Sequence, residues 1–213
     1  MELKNNILLE ACVGTLDEAL LAQEKGADCV EVCSRLDLDG LTPNDNFVKN
    51  CINNLSIPIK VMVRPRAGNF VYSENELLNI QQKIMHYKSL GVGEVVFGIL
   101  NKDNEIDVEA LNKMAKIAYP MKVTFHKAID KTKDLFSSLQ KIMSISEVSS
   151  VLTSGGESNA RNGYKIIRKM IDIAQDQITI IAAGSITDKN IGELHNMIGA
   201  KEYHGKKIVG NLN

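Results

Sequence analysis

Short strand-like runs alternate with helix-like stretches along the whole chain, and this alternation limits the possible folds more than any other feature of the sequence. The runs lie at residues 7–13, 28–33, 59–64, 94–99, 122–127, 149–153, 178–183 and 201–204. A helical pattern follows each of the first seven. Because eight parallel strands with crossover helices close into a ring without strand edges, we predict one α/β domain over residues 1–213, a parallel (β/α)8 TIM-type barrel.

A doubly wound open sheet is the alternative fold. The central strands of such a sheet are apolar on both faces. Here the first, second, third and fifth runs carry polar side chains on one face, as the interior of a barrel allows. The sequence therefore favours the barrel. Only residues 205–213 follow the last run, so we expect the barrel to lack a full final helix.

The composition excludes several classes of partner. Lys and Arg total 25 and Asp and Glu total 26, so the formal net charge of −1 provides no field that would recruit nucleic acid or an anionic membrane. No apolar stretch reaches the roughly 18–20 residues that a membrane-spanning helix requires. The 4 cysteines are too few for a disulfide framework in a chain of this length, which indicates reduced thiols and a cytoplasmic location.

Two of the strand-like runs share the pattern apolar-Glu-apolar-Cys, at residues 9–12 and 30–33. Alternate side chains of a strand share a face, so Glu10 lies on the same face as Cys12, and Glu31 on the same face as Cys33. Buried charges need partners or a ligand. Two carboxylates and two thiols that point into one interior therefore mark a candidate functional site.

Polar residues also end the third and fifth runs, where a parallel barrel places its catalytic groups. The candidate catalytic residues are Glu10, Glu31, Arg64 and His126. The fork of Arg64 suits a carboxylate or a phosphate, and we predict that it pairs with Glu10 or Glu31. His126 is the candidate for acid–base work; the alternative is a neutral histidine that is hydrogen-bonded in the top layer. His204, which ends the last run, is expected at the same mouth.

Glycine-rich turns follow the sixth and seventh runs. Such turns expose backbone N–H groups that can hold a phosphate at the mouth of a barrel. Plain tight turns explain both segments equally well. The candidate anion-binding residues are Arg64, Arg66, Ser154, Gly155 and Gly184.

The thiols suggest a different ligand. Thiolates are soft ligands that suit Cu(I), and Cys12 and Cys33 lie on neighbouring strands, although the layering of a barrel predicts that they are staggered. The alternative is that both thiols simply pack in the core, because free cysteine is among the most buried residue types.

Several short motifs occur in order along the chain: Glu10-Ala-Cys12, Glu31-Val-Cys33, Gly40-Leu-Thr-Pro43, Arg64-Pro-Arg66, Thr124-Phe-His126 and Leu152-Thr-Ser-Gly155. Together they resemble the CutC copper homeostasis family. The resemblance implies a cytoplasmic (β/α) barrel that binds Cu(I), with Cys12 and Cys33 as the copper ligands.

Three hypotheses about function follow. The first is a Cu(I)-binding copper homeostasis protein. The second is a barrel enzyme that acts on a small phosphate- or carboxylate-bearing metabolite through the charged groups of the mouth. The third is a non-catalytic sensor or storage protein. The expected ligand is thus a copper ion or a small anion, and we expect a homodimer with no nucleic-acid or membrane partner.

Overall fold

Eight parallel strands pair in sequence order, and the last pairs with the first, so the sheet closes into a barrel. The strands are β1 (Leu8–Val13), β2 (Cys29–Val32), β3 (Ile59–Met62), β4 (Glu94–Phe97), β5 (Lys122–Phe125), β6 (Val148–Thr153), β7 (Thr179–Ala183) and β8 (Glu202–Gly205). This computed structural model describes residues 7–212. The predicted barrel is confirmed, and the open sheet is excluded.

Within the described residues, seven α-helices surround the barrel. They are α1 (Leu16–Glu24), α2 (Asp45–Asn54), α3 (Glu74–Ser89), α4 (Val108–Ala118), α5 (Leu135–Met143), α6 (Ala160–Ala174) and α7 (Ile191–Ile198). Capping boxes begin α1 and α3, because Thr15 and Ser73 each exchange hydrogen bonds with a glutamate three residues later. After β8, residues 206–212 form turns without a helix, as expected.

The main hydrophobic core lies between the barrel and the helices. Outward-facing strand residues such as Val32, Val61 and Phe97 are fully buried there. Each CH₂ group buried in this layer contributes roughly 0.8 kcal/mol of stabilisation. Apolar clusters inside the barrel are small by comparison, for instance Leu152 with Ile181. The barrel interior can therefore carry polar groups.

The helices of residues 7–212 include no candidate for a membrane span. None of them combines the length and the apolar character that a membrane crossing requires.

Candidate functional site

Lys60, on β3, lies inside the barrel among three carboxylates. Its Nζ is 2.5 Å from Glu10 Oε2, 2.5 Å from Glu202 Oε1 and 3.5 Å from Glu94 Oε1. Burial lowers the pKa of the ammonium, but the three carboxylates raise it more, so the pKa of Lys60 lies well above its ordinary value. Lys60 is thus the permanent cation that allows these carboxylates to be buried.

Glu10 connects this interior cluster to the mouth of the barrel through His204. The two residues face each other in the β1–β8 register, and Glu10 Oε1 is 2.6 Å from His204 Nδ1. Burial raises the pKa of Glu10, but Lys60 and His204 hold it well below its usual range. Burial lowers the pKa of His204, yet Glu31, Cys12 and Glu10 raise it well above its usual value. His204 is therefore an imidazolium at the mouth, where the sequence predicted it.

Cys12 and Cys33 approach each other in the mouth. Cys12 faces Glu31 in the β1–β2 register, so Cys33 lies further along the barrel axis, which confirms the predicted stagger. The side chains nevertheless meet, because their Sγ atoms are 3.9 Å apart. The hydrogen bond with Cys33 lowers the pKa of the Cys12 thiol to about 5, with help from His204 and against the effect of burial. Burial and Cys12 raise the pKa of Cys33, so the pair holds one thiolate and one thiol.

Glu31 completes this group, which we call the thiol cluster: Cys12, Glu31 and Cys33. Glu31 Oε2 lies 3.4 Å from Cys33 Sγ, while Oε1 is buried without a hydrogen-bond partner in the described structure. Burial and the charge of Cys12 raise the pKa of Glu31 well above its ordinary value. One ligand atom from each of the three residues lies within 4.8 Å of the others, so the cluster can hold a soft metal ion.

Two other groups in the barrel interior also combine metal-ligand residues. One is Glu10, Cys29 and Glu202, and the other is Glu10, Glu31 and His204. Lys60 already forms ion pairs with both carboxylates of the first group, and His204 itself supplies the positive charge of the second. The thiol cluster is therefore the best match to a metal ion, because it alone of the three offers two sulfur atoms.

Arg64 does not pair with Glu10 or Glu31 within the described structure, so this prediction is wrong. Its guanidinium instead donates hydrogen bonds, at 3.0–3.4 Å, to backbone carbonyl oxygens of Leu38, Asp39, Gly40 and Gly68. The physical reason is twofold. Lys60 and His204 already neutralise the buried carboxylates, and the loop after β2 folds its carbonyl groups around the guanidinium.

His126 is buried at the end of β5. Its Nδ1 accepts a hydrogen bond from Ala128 N–H at 3.2 Å, and its ring lies against Phe70 with the centroids 4.9 Å apart. Burial and the charge of Arg64 lower the pKa of His126 to about 3, so the ring stays neutral near pH 7. This arrangement favours a neutral, hydrogen-bonded histidine over an acid–base catalyst.

The turn after β6 binds a carboxylate of the protein itself. Asp130 accepts hydrogen bonds of 2.5–2.9 Å from Thr153 Oγ1, from N–H and Oγ of Ser154, and from Gly156 N–H. The Gly155 N–H is directed to Thr153 Oγ1. The predicted anion-binding residues Ser154 and Gly155 thus direct their N–H groups to Asp130 and Thr153 within the protein.

The other two predicted anion-binding residues also have structural partners. Arg66 forms an ion pair with Glu76 at the start of α3 and donates to carbonyl groups of its own loop. Gly184 has φ +109°, and its carbonyl oxygen accepts a hydrogen bond from Ala160 N–H. Its role in the structure is to let the turn after β7 approach the start of α6.

A cavity of about 1080 Å³ opens at the C-terminal ends of the strands, and we call it the mouth cavity. A cavity of this size accommodates a small organic molecule. Cys12, Glu31 and His204 line one side of it, and Arg64, Phe70 and His126 line another. Cys12 and Glu31 of the thiol cluster thus share one opening with Arg64 and His126.

Comparison with known proteins assigns the family. The sequence profile described as the CutC family matches residues 7–209. This chain belongs to the CutC family. The copper homeostasis protein cutC homolog of Homo sapiens is 36% identical over 200 residues, which cover 94% of this chain and 73% of the human protein. The CutC family protein of Mesorhizobium japonicum is 37% identical over 197 residues, covering 92% of this chain and 76% of that protein.

A solved CutC structure shares the fold closely. The CutC protein of Streptococcus agalactiae superposes on this chain with a TM-score of 0.90 and 28% sequence identity. The match covers 95% of this chain and 99% of that one. The resemblance inferred from the short motifs is therefore confirmed along nearly the whole barrel.

Sequence alone did not single out three members of the CutC interior cluster, namely Lys60, Glu94 and Glu202. The signal was present, because alternation places Lys60 on the same face of β3 as Met62. Glu94 and Glu202 begin β4 and β8 on the corresponding inward face. A search at every inward position, rather than only at the ends of the strands, would have found them.

Replacing Asp130 with Asn in this CutC chain should loosen the turn after β6. An amide offers one acceptor oxygen in place of two, so at least one backbone N–H of the turn loses its partner, at a cost of about 1–3 kcal/mol. Urea denaturation of the wild type and of Asp130→Asn measures this loss. Asp134→Asn is the matched control, because Asn caps a helix as well as Asp and α5 should be unaffected. Equal stability of the two variants would contradict the assigned role.

Proposed function

We propose that this chain acts in copper homeostasis by binding Cu(I) through Cys12 and Cys33. The observation that carries the proposal is the 3.9 Å separation of the two Sγ atoms, with Cys12 lining the mouth cavity and Cys33 fully buried behind it. Two metal–thiolate bonds, taken at roughly the 2.3 Å length of the zinc bond, span up to about 4.6 Å, so one ion can contact both sulfurs. The names of the human and mouse relatives point to the same process.

The protonation states of the two thiols favour the binding of a soft metal ion. Cys12 is already a thiolate, so only Cys33 has to lose a proton when the metal binds. The unpartnered Oε1 of Glu31 lies in the same cluster and is a candidate acceptor or third ligand. Thiolate ligands select Cu(I) over harder divalent ions.

A barrel enzyme that uses Glu10, Glu31, Arg64 and His126 together is the weaker candidate. The carboxylates are neutralised by Lys60 and His204, whereas Arg64 is held by backbone carbonyl groups. A histidine with a pKa of about 3 is a poor base near pH 7. The four residues therefore do not form one catalytic group.

Two further expectations accompany the copper proposal. All four cysteines are free and buried, which supports a reducing, cytoplasmic location. A homodimer stays a prediction, and analytical ultracentrifugation of the purified chain checks it.

The experiment that tests the proposal is a competition for Cu(I) against a calibrated chelator under reducing conditions. We expect Cys12→Ser and Cys33→Ser each to weaken binding by about 100-fold or more, since even groups outside the ligand sphere change metal affinity by about 10–100-fold. Serine keeps the size of the side chain, so circular dichroism should show an unchanged fold.

Cys51→Ser and Cys29→Ser are the matched controls. Cys51 lies on α2, outside the barrel interior, and burial raises the pKa of its thiol to about 11. Cys29 lies deeper in the barrel, where burial and Glu10 raise the pKa of its thiol. Neither replacement should change Cu(I) affinity. Cu(I) binding that survives the double replacement of Cys12 and Cys33 would refute the proposal.

A further inference from the structure

We propose that the mouth cavity contains a second ligand site, in which His126 Nε2–H and Arg64 Nε–H bind the carboxylate group of a small organic acid. The site lies on the β3–β5 side of the cavity, and it requires neither the thiol cluster nor copper.

The first observation is the hydrogen-bonding state of His126. Its Nδ1 accepts from Ala128 N–H, so the neutral ring carries its proton on Nε2. The ring is held in place, because Phe70 lies against it and a Cβ at Gly98 would come within 2.6 Å of Nδ1. Nε2 is buried and has no hydrogen-bond partner among the described residues. His126 is only 4% exposed, so this is a fixed donor without an acceptor.

The second observation is a similar donor on Arg64. Four carbonyl oxygens accept from its terminal nitrogens, but Nε is buried and makes no hydrogen bond within residues 7–212. The guanidinium also interacts with the Tyr72 hydroxyl, another buried group without a hydrogen bond there. Arg64 is 6% exposed, and its guanidinium lies 4.9 Å from the same Phe70 ring that contacts His126. Both residues line the mouth cavity. Buried donors that stay unpaired are destabilising, so an acceptor ligand is favoured.

The donor set indicates a carboxylate in preference to a phosphate. The two unpaired donors are one cationic group, on Arg64, and one neutral group, on His126. Lys127 also lines the cavity, but it pairs with Asp130 and donates to Ser154 Oγ. A phosphate needs a cradle of several N–H groups, and those of the turn after β6 are directed to Asp130 and Thr153. A planar, singly charged acceptor with two oxygens matches one cationic and one neutral N–H.

The test is a titration of metal-free protein, with ¹⁵N-histidine labelling, by acetate, pyruvate and inorganic phosphate at constant ionic strength. We expect the His126 Nε2–H resonance to move saturably with acetate or pyruvate, and no saturable movement with phosphate. Absence of a saturable shift with both carboxylates, or a tighter response to phosphate, would overturn the proposal. Because no copper is present, the outcome is independent of the Cu(I) competition.

Two variants of His126 separate hydrogen bonding from packing. In His126→Gln the amide nitrogen can reach the position of Nε2, whereas the shorter side chain of His126→Asn cannot. We expect the affinity for the carboxylate, measured by isothermal titration calorimetry, to fall by about 10–100-fold in His126→Asn and to be largely retained in His126→Gln. Equal affinities of wild type and a folded His126→Asn would exclude His126 from the site.

Discussion

Replacing Lys60 with Met should remove about 3–5 kcal/mol of folding free energy, because Glu202 then loses its cation and Glu10 keeps only His204. Lys60 Nζ lies within 3.5 Å of Glu10, Glu94 and Glu202, and Lys60 is only 6% exposed. Methionine has nearly the same length and fits the space, so the effect is mainly electrostatic. Guanidinium denaturation of the wild type and the variant measures the difference.

The pH dependence distinguishes this cause from a packing defect. In the wild type the pKa of Glu10 is depressed, so its contribution is present above the unfolded-state pKa and is lost as the pH falls. Burial and Glu10 already raise the pKa of Glu202 to about 7 against the effect of Lys60, and Lys60→Met removes that opposing charge. The folded-state pKa of Glu202 then rises further, so folding takes up protons and stability rises as the pH falls. The stability curves of the two proteins should therefore converge in acid. A difference that stays constant with pH would contradict this explanation.

Lys201→Met is the matched control for Lys60. Lys201 pairs with Asp176 at 2.9 Å, but both side chains are largely exposed. Exposed pairs contribute about 0–1 kcal/mol, so this variant should remain close to the wild type at every pH.

Replacing Gly163 with Ala should destabilise the barrel by about 3 kcal/mol, at the upper end of the usual cost of overpacking. A Cβ at Gly163 would lie 1.9 Å from the carbonyl oxygen of Ser154, which is backbone and cannot rotate away. The start of α6 would have to move off the turn that binds Asp130. Thermal or chemical unfolding measures the loss.

Gly93→Ala is the matched control for Gly163. Gly93 precedes β4, no atom lies within 4 Å of a Cβ built there, and its φ is not positive. The stability of the Gly93→Ala variant should therefore differ little from that of the wild type. If Gly163→Ala were as stable as Gly93→Ala, the close contact between α6 and the turn after β6 would not be a real constraint on this fold.

The strands and the inward face of the barrel could be predicted from the sequence, because both depend on local patterns. The two-residue period of a strand places Glu10 with Cys12 and Glu31 with Cys33 whatever the rest of the chain does. The alternation of strand and helix, repeated along the chain, leaves few ways to bury the apolar faces. The CutC motifs lie in the same local stretches of sequence, so the family could be identified before the fold was known.

The pairing of the charges was decided only by the tertiary structure. Glu10 on β1 meets Lys60 on β3 and His204 on β8, and these distances depend on the register of the closed barrel. Arg64, which the sequence assigned to the carboxylates, is held by the carbonyl groups of a loop whose path no local pattern predicts. Asp130 likewise reaches the turn after β6 from a distant segment. Electrostatic partners are chosen by distance in space, so a sequence can indicate which side chains face inward but not which of them neutralise one another.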